Sequence, residues 1–277
     1  MANRRNFLKV AAIGIAAANI PLNSFAISGN QKGEKFRFKL GVASYTLRKF
    51  STEQALDMTL RCGVNRITFK SMHLPVEASD ETIKNTVALC KQNGVQLYGC
   101  GVVTMKTKAD VDQAFHYASV AGMDMIIGVP YPEVLSYVNE KVQEYNIRLA
   151  IHNHGPGDDL YPSAETAFNR IKNLDKRMGL CVDIGHTKRI NRDPEKDVED
   201  YFDRVFDIHI KDVTAATAEG DTCIIGRGVI NFVSFLKKLK ELNYQGTLAL
   251  EYEADENDPL PGMMESFGYV KGIMALI

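Results

Sequence analysis

The chain has 277 residues, a length expected of one large barrel or of two ordinary domains. Hydrophobic residues make up 45% of it and charged residues 24%, which is typical of a soluble globular protein. The 33 basic and 34 acidic residues give a formal net charge of −1, so no strong attraction to a polyanion is expected and nucleic acid is excluded as a partner.

Residues 1–26 have the pattern of an export signal. The basic residues Arg4 and Arg5 precede the apolar stretch VAAIGIAAANI, which is too short to span a bilayer comfortably. The segment NRRNFLK resembles a twin-arginine motif, and residues 24–26 offer small side chains for cleavage. The sequence therefore predicts a periplasmic protein exported by the twin-arginine route. A basic tail with an ordinary helix and an uncleaved anchor are the alternatives.

Cleavage after residue 26 would remove three positive charges, leaving 30 basic and 34 acidic residues and a net charge of −4. The polar segment 27–35, ISGNQKGEK, is expected to be a linker, and 36–277 a single folded domain. No membrane association is expected after the signal is cleaved.

The cysteines are predicted to be free thiols. They are odd in number, widely spaced, and without a CxxC pair, which argues against a disulfide framework and a thiolate zinc site. The five positions are Cys62, Cys90, Cys100, Cys181 and Cys223.

Beyond the linker, short apolar runs alternate with longer amphipathic segments. The apolar runs predict strands over residues 38–44, 64–69, 95–101, 123–129, 147–152, 179–184, 205–211 and 247–252. The amphipathic segments predict helices over residues 51–62, 79–93, 107–121, 131–145, 163–173, 194–203, 231–242 and 263–276. Several of these helices begin at a capping serine and end at a glycine.

Eight such β/α units predict an α/β protein with a single-domain (β/α)8 TIM barrel. A doubly wound open sheet is the alternative. That fold would place a glycine-rich phosphate turn after the first strand, and GVASYTLRKF contains none.

Imidazoles and carboxylates end four consecutive predicted strands: His152, Asp183, His209 and Glu251. In a barrel, adjacent strands would bring these side chains to one place, and the set is typical of a divalent-metal site. Two other roles stay open: Asp183 as a cap of the following turn, and His209 as a hydrogen-bonded core histidine.

The motifs LAIHNHG, CVDIGH, FDIHIKD, GRGVINF and LALEYE, in this order, resemble the xylose isomerase-like TIM barrels of sugar-phosphate isomerases and epimerases. The resemblance covers residues 36–277 and implies metal-dependent isomerisation or epimerisation of a small carbohydrate. It also implies that Asp183, His186, His209 and Glu251 occupy the family's functional positions.

The end of the fifth strand departs from the family. There the family usually has a glutamate before an Asn-His pair, whereas this chain has His152 before Asn153 and His154. A ligand is kept but a carboxylate is lost, so proton exchange between two opposed glutamates is in doubt. The remaining ligands suit Mn²⁺, Zn²⁺, Co²⁺ or Fe²⁺ as a Lewis acid.

The catalytic candidates are Glu251, Glu253, Lys211 and His186. Lys211 follows His209 by two residues, so strand alternation places both on one side. A buried lysine beside a cation is expected to have a lowered pKa and to serve as base or acid. Pairing with Asp183 or Asp212 is the alternative role for this lysine.

Residues at the ends of other predicted strands are candidates for binding the substrate. They are Tyr45, Lys70, His73, His154 and Arg227. For His73 and Arg227, an exposed loop position without a role in binding is the alternative. Because no phosphate cradle is visible, a non-phosphorylated sugar or glycoside is the expected ligand.

Three functional hypotheses remain: a sugar isomerase or epimerase, a lyase or hydratase of keto-sugars or glycosides using the same site, and a non-catalytic sugar-binding barrel. Abasic-site endonucleases share the barrel but carry three zinc ions and a basic DNA groove, which the acidic chain does not match. The composition permits a monomer or a homodimer.

Overall fold

The computed structural model describes residues 36–277; the predicted signal peptide and linker lie outside the described residues. Eight parallel strands close into a barrel, which confirms the predicted fold class. In chain order these strands are β1 (Lys39–Ala43), β2 (Arg66–Phe69), β3 (Gln96–Met105), β4 (Met125–Pro130), β5 (Arg148–His152), β6 (Met178–Asp183), β7 (Val205–Ile210) and β10 (Thr247–Leu250). Between the last two, β8 (Asp212–Val213) and β9 (Thr222–Cys223) form a small antiparallel hairpin.

Helices connect the strands on the outside of the barrel. They are α1 (Thr52–Arg61), α2 (Asp80–Gln92), α3 (Lys108–Val120), α4 (Leu135–Tyr145), α5 (Ala164–Ile171), α6 (Ile184–Arg189), α7 (Pro194–Asp200), α8 (Phe232–Glu241) and α9 (Pro259–Leu276). Short 3-10 turns cover Ser44–Leu47, Pro132–Val134 and Phe202–Arg204. No helix in this part of the chain is long and apolar enough to cross a membrane.

The capping residues act as the sequence predicts. Ser51 begins α1 and accepts a hydrogen bond from the backbone N–H of Gln54, whose side chain bonds back to Ser51 in a capping box. The hydroxyl groups of Ser79 and Ser163 cap α2 and α5 by accepting the backbone N–H groups of Thr82 and Thr166. These caps fix where the connections end and the helices begin.

Two elements were not predicted. Asp183 caps the short α6 directly after β6, so the chain turns into a helix without an intervening loop. The β8–β9 hairpin leaves the mouth of the barrel just after β7. The last helix also begins earlier than predicted, at Pro259, because proline fits the first turn of a helix.

Four of the five cysteines are buried and Cys223 is half-buried, and all five are free thiols. This agrees with their apolar sequence contexts.

Candidate metal centre and active site

Four predicted ligands meet at the C-terminal ends of adjacent strands: His152, Asp183, His209 and Glu251. One ligand atom from each lies within 4.8 Å of the others. The His152 Nε2 atom lies 3.1 Å from His209 Nδ1 and 3.6 Å from Asp183 Oδ2. The His209 Nδ1 atom lies 3.5 Å from Glu251 Oε2. All four side chains are buried, with Glu251 the most exposed at 6%.

Strand register explains this convergence. Asp183 on β6 lies opposite His209 on β7, and β7 in turn pairs with β10, which Glu251 follows. His152 ends β5 and pairs with Cys181, which precedes Asp183 by two residues on β6. This offset reflects the stagger of neighbouring strands in a barrel. Burial raises the pKa of the Cys181 thiol well above its ordinary value, so the neutral sulfur is a poor ligand.

The donor atoms fit a divalent cation. Asp183 Oδ2 is buried and accepts no hydrogen bond from the described residues. The facing nitrogen atoms of His152 and His209 could share one proton, but two imidazoles and two carboxylates around one point are better satisfied by a metal ion. Two nitrogen and two oxygen ligands suit Mn²⁺, Zn²⁺, Co²⁺ or Fe²⁺.

Asp183 takes the capping role that the sequence left open, and its second oxygen stays available for the predicted ligand role. Its Oδ1 atom accepts the backbone N–H of His186 at 2.7 Å and so caps α6. Its Oδ2 atom points into the cluster. Asn153 holds the Asp183 backbone by accepting its N–H at 2.9 Å and donating to its carbonyl at 3.2 Å. The residue after His152 therefore fixes the neighbouring ligand.

Lys211 lies beside the cluster, on the same side as His209, as strand alternation predicts. Its Nζ atom lies 2.9 Å from Glu251 Oε2 and 3.3 Å from Asp183 Oδ2, and it also donates to Glu253. Burial opposes its charge, but these three carboxylates raise its pKa well above the ordinary value. Without a metal ion the carboxylates thus outweigh burial, and the lowering expected beside a bound cation stays a prediction.

Burial and local charges set the protonation of the other groups. Burial lowers the pKa of His152 to about 3 and that of His186 to about 4, which favours their neutral forms. Burial opposes ionisation of Glu251, but Lys211 and His209 hold its pKa well below the ordinary value. Burial opposes a charge on His209, but the Glu251 carboxylate raises its pKa. The site thus holds the ionised Glu251 carboxylate beside the neutral imidazoles of His152 and His186.

A cavity of about 440 Å³ opens beside this cluster. Lys70 and His154, two of the predicted substrate contacts, line it together with Thr104, Tyr131 and Asp158, among others. The His154 ring centroid lies 4.6 Å from that of His152, so the cavity adjoins the ligands. The Lys70 ammonium lies 4.6 Å over the Tyr45 ring. The cavity is of the size that small-molecule sites have.

Two other predicted contacts lie elsewhere. His73 is buried, with its Nδ1 atom 3.0 Å from Ser44 Oγ and its ring stacked on Phe69, and it does not line the cavity. Arg227 is exposed and forms two hydrogen bonds of 2.7 Å with Glu265 on α9. Glu265 thus accounts for the Arg227 side chain, whereas the buried Nε2 atom of His73 has no hydrogen-bond partner among the described residues.

Sequence reasoning missed the role of Asp212. Its buried carboxylate accepts the backbone N–H groups of Val213 and Ile230 through Oδ1 and of Gly226 and Gly228 through Oδ2. This folds the GRGVI loop against the barrel mouth. The signal that could have revealed it was the polar residue after Lys211 followed by paired glycines.

The chain belongs to the xylose isomerase-like TIM barrel family, whose model matches residues 16–273. It is 27% identical to the rhizopine catabolism protein MocC of Rhizobium meliloti over 154 residues, covering 50% of this chain and 47% of that protein. It is also 27% identical to the inosose dehydratase of Geobacillus kaustophilus over 145 residues, covering 47% of this chain and 45% of that enzyme. In both cases the alignment covers less than half of the relative.

Among solved structures, the fold is similar to that of the 3-keto-D-glucoside 4-epimerase YcjR from E. coli, with a TM-score of 0.68 and 12% identity. The likeness covers 85% of this chain and 99% of that one. The relatives and structural neighbours thus include an epimerase and a dehydratase, and the solved structure shares its barrel fold with this chain.

Proposed function

We propose that this protein is a divalent-metal-dependent isomerase or epimerase that abstracts a proton next to a carbonyl of a sugar or keto-sugar. The observation that carries the proposal is the buried cluster of His152, Asp183, His209 and Glu251 beside a cavity at the barrel mouth. Membership of the xylose isomerase-like family supports the same reaction class.

The four ligands would hold the ion, and when bound it would polarise the substrate carbonyl and stabilise negative charge on the neighbouring oxygens. The side chains of the chain itself would do the rest. Asn153 keeps Asp183 in place, and the cavity wall with Lys70 and His154 would orient the sugar.

Proton transfer falls to the groups that follow β7 and β10. Lys211 keeps the Glu251 carboxylate ionised, so Glu251 can accept the proton from carbon. Glu253 shares the same ammonium group and is 29% exposed at its side chain. Lys211 stays protonated, with His186 Nε2 at 3.4 Å, and so suits the acid that protonates an oxygen.

A lyase or dehydratase reaction on the same site is the second candidate. The base candidates Glu251 and Glu253 both follow β10, and β5 ends in His152 instead of a second carboxylate. A single base can start the reaction and a β-substituent can then leave, without proton return from the opposite face. The partial alignment with inosose dehydratase supports this candidate.

The reaction can be followed by NMR in D₂O. Protein loaded with Mn²⁺ or Zn²⁺ would be incubated with a panel of aldoses, ketoses and 3-keto-glycosides. We expect deuterium to enter next to a carbonyl without loss of a group. Release of water or an aglycone would instead establish the lyase. Absence of exchange and of product from every sugar in metal-loaded protein would contradict both and leave a sugar-binding barrel.

The proposed base is tested by a Glu251→Gln variant. It keeps the shape of the side chain but removes the base and weakens one proposed metal ligand, so exchange should fall by at least 100-fold, and the bound metal is measured in the same sample. His116→Gln serves as the neutral comparison, because His116 is half-exposed and paired with Asp80 on the outer surface.

We also propose that the protein acts in a bacterial periplasm on a non-phosphorylated sugar. The NRRNFLK motif supports export. A double Arg4→Lys, Arg5→Lys variant should remain in the cytoplasm on cell fractionation, and periplasmic recovery of that variant would contradict the route.

A further inference from the structure

We propose that Asp207 is a positioning residue that holds the His209 imidazole in the tautomer needed for metal binding. The inference rests on the metal site proposed above. It concerns the floor of that site, inside the barrel, rather than the ligands themselves.

The two nitrogen atoms of His209 face different surroundings. The Nδ1 atom faces the cluster, at 3.1 Å from His152 Nε2 and 3.5 Å from Glu251 Oε2. A nitrogen that binds a metal cannot carry a proton, so the proton of the neutral ring must lie on Nε2. That Nε2 atom is buried and has no hydrogen-bond partner among the described residues.

Asp207 lies directly below this nitrogen. It precedes His209 by two residues on β7, so both side chains point into the barrel. Its Oδ2 atom lies 3.8 Å from His209 Nε2, which is longer than a hydrogen bond but makes it the carboxylate oxygen paired with this nitrogen. In metal proteins, a ligating histidine usually donates its second N–H to a carboxylate or carbonyl.

Among the groups that surround Asp207, His209 is the one that can pair with its carboxyl group. Asp207 is fully buried, and within the described part of the chain His209 is its sole ion-pair neighbour. The Tyr98 hydroxyl lies 3.3 Å from both carboxylate oxygens and donates to the group. The Cys181 thiol approaches Oδ2 at 3.8 Å. Both groups donate to the carboxyl group of Asp207, so its oxygens act as acceptors, which is the role proposed toward the imidazole.

The test compares zinc affinity with stability in an Asp207→Asn variant of the full chain. The amide keeps the volume and an acceptor for Tyr98 but is a weaker acceptor than a carboxylate toward His209. We expect 10- to 100-fold weaker Zn²⁺ binding by titration calorimetry. The melting temperature of the metal-free variant should stay the same or rise, because a buried carboxyl group is replaced by an uncharged amide of the same shape.

Asp197→Asn is the matched control. Asp197 is also buried, but it pairs with Arg192 at 2.6 Å on α7, away from the site. This variant should lose stability and keep the zinc affinity, the opposite of Asp207→Asn. Unchanged zinc affinity in Asp207→Asn would overturn the inference.

A second measurement needs no variant. In zinc-loaded protein with ¹⁵N-labelled histidine, His209 should show a protonated Nε2 with a slowly exchanging, downfield proton. A protonated Nδ1 would overturn the inference. If the unaltered protein binds no zinc, the proposed metal site itself fails, and that result is distinct from a bound ion with either tautomer.

Discussion

Asp183 works through its two carboxylate oxygens on two different neighbours. One oxygen caps α6 and the other faces the ligand cluster, so the chain direction after β6 and the site geometry depend on one side chain. Asn153 adds a second constraint through its two hydrogen bonds to the Asp183 backbone. A ligand held from both sides needs little rearrangement when an ion binds.

The first prediction concerns His209 as a ligand. A His209→Ala variant should lose retained metal, because three ligands remain and the cluster gains a void at its centre. Elemental analysis after gel filtration measures the bound metal per chain. His116→Ala removes a surface histidine and should keep the full metal content. Equal metal content in both variants would contradict the site.

The second prediction concerns the charge of Lys211. A Lys211→Met variant leaves three carboxylates, two of them buried, without their ammonium partner, and should lose about 3–5 kcal/mol of unfolding free energy without metal. Added Zn²⁺ should raise its melting temperature more than that of the unaltered protein. Thermal unfolding with and without zinc measures both. A variant as stable as the unaltered protein would contradict the charge balance argued for this lysine.

At the scale of the element, β7 and the residue after it carry three inward polar groups at three depths. Asp207, His209 and Lys211 are each no more than 1% exposed. The alternation of the strand thus stacks a carboxylate, an imidazole and an ammonium from the barrel interior to the mouth. Lys211 also passes close to α6, where a Cβ at Gly185 would lie 2.7 Å from Lys211 Cγ. The glycine therefore leaves room for the lysine stem.

The third prediction concerns the loop that follows the β8–β9 hairpin. In an Asp212→Asn variant, an NH₂ group replaces one carboxylate oxygen. The side chain can then no longer accept all four backbone N–H groups. The loop 226–230 should exchange its amide hydrogens faster, and the protein should lose about 1–3 kcal/mol. Hydrogen-exchange mass spectrometry measures this. Asp221→Asn, at an exposed position, should leave the loop unchanged; equal exchange in both variants would contradict the role.

At the scale of the whole molecule, the sequence predicted the barrel and the cluster of polar residues at its mouth because both follow from local pattern. Apolar runs located the strands, and the residues that end them located His152, Asp183, His209 and Glu251. The pKa of Lys211 could not be predicted, because its partners come from β6 and from the segment after β10, far apart in sequence. The buried position of His73 likewise depends on Ser44 after another strand.

The last prediction follows from the spread of the ligands along the chain. They come from four strands and span residues 152 to 251, so a bound ion joins half of the barrel. Zn²⁺ at 100 times its dissociation constant should stabilise the native state by about 2.7 kcal/mol, which raises the melting temperature by about 5–11 °C. Calorimetry with zinc and then with excess chelator measures the shift. A melting temperature that neither zinc nor chelator moves would contradict a site built across these strands.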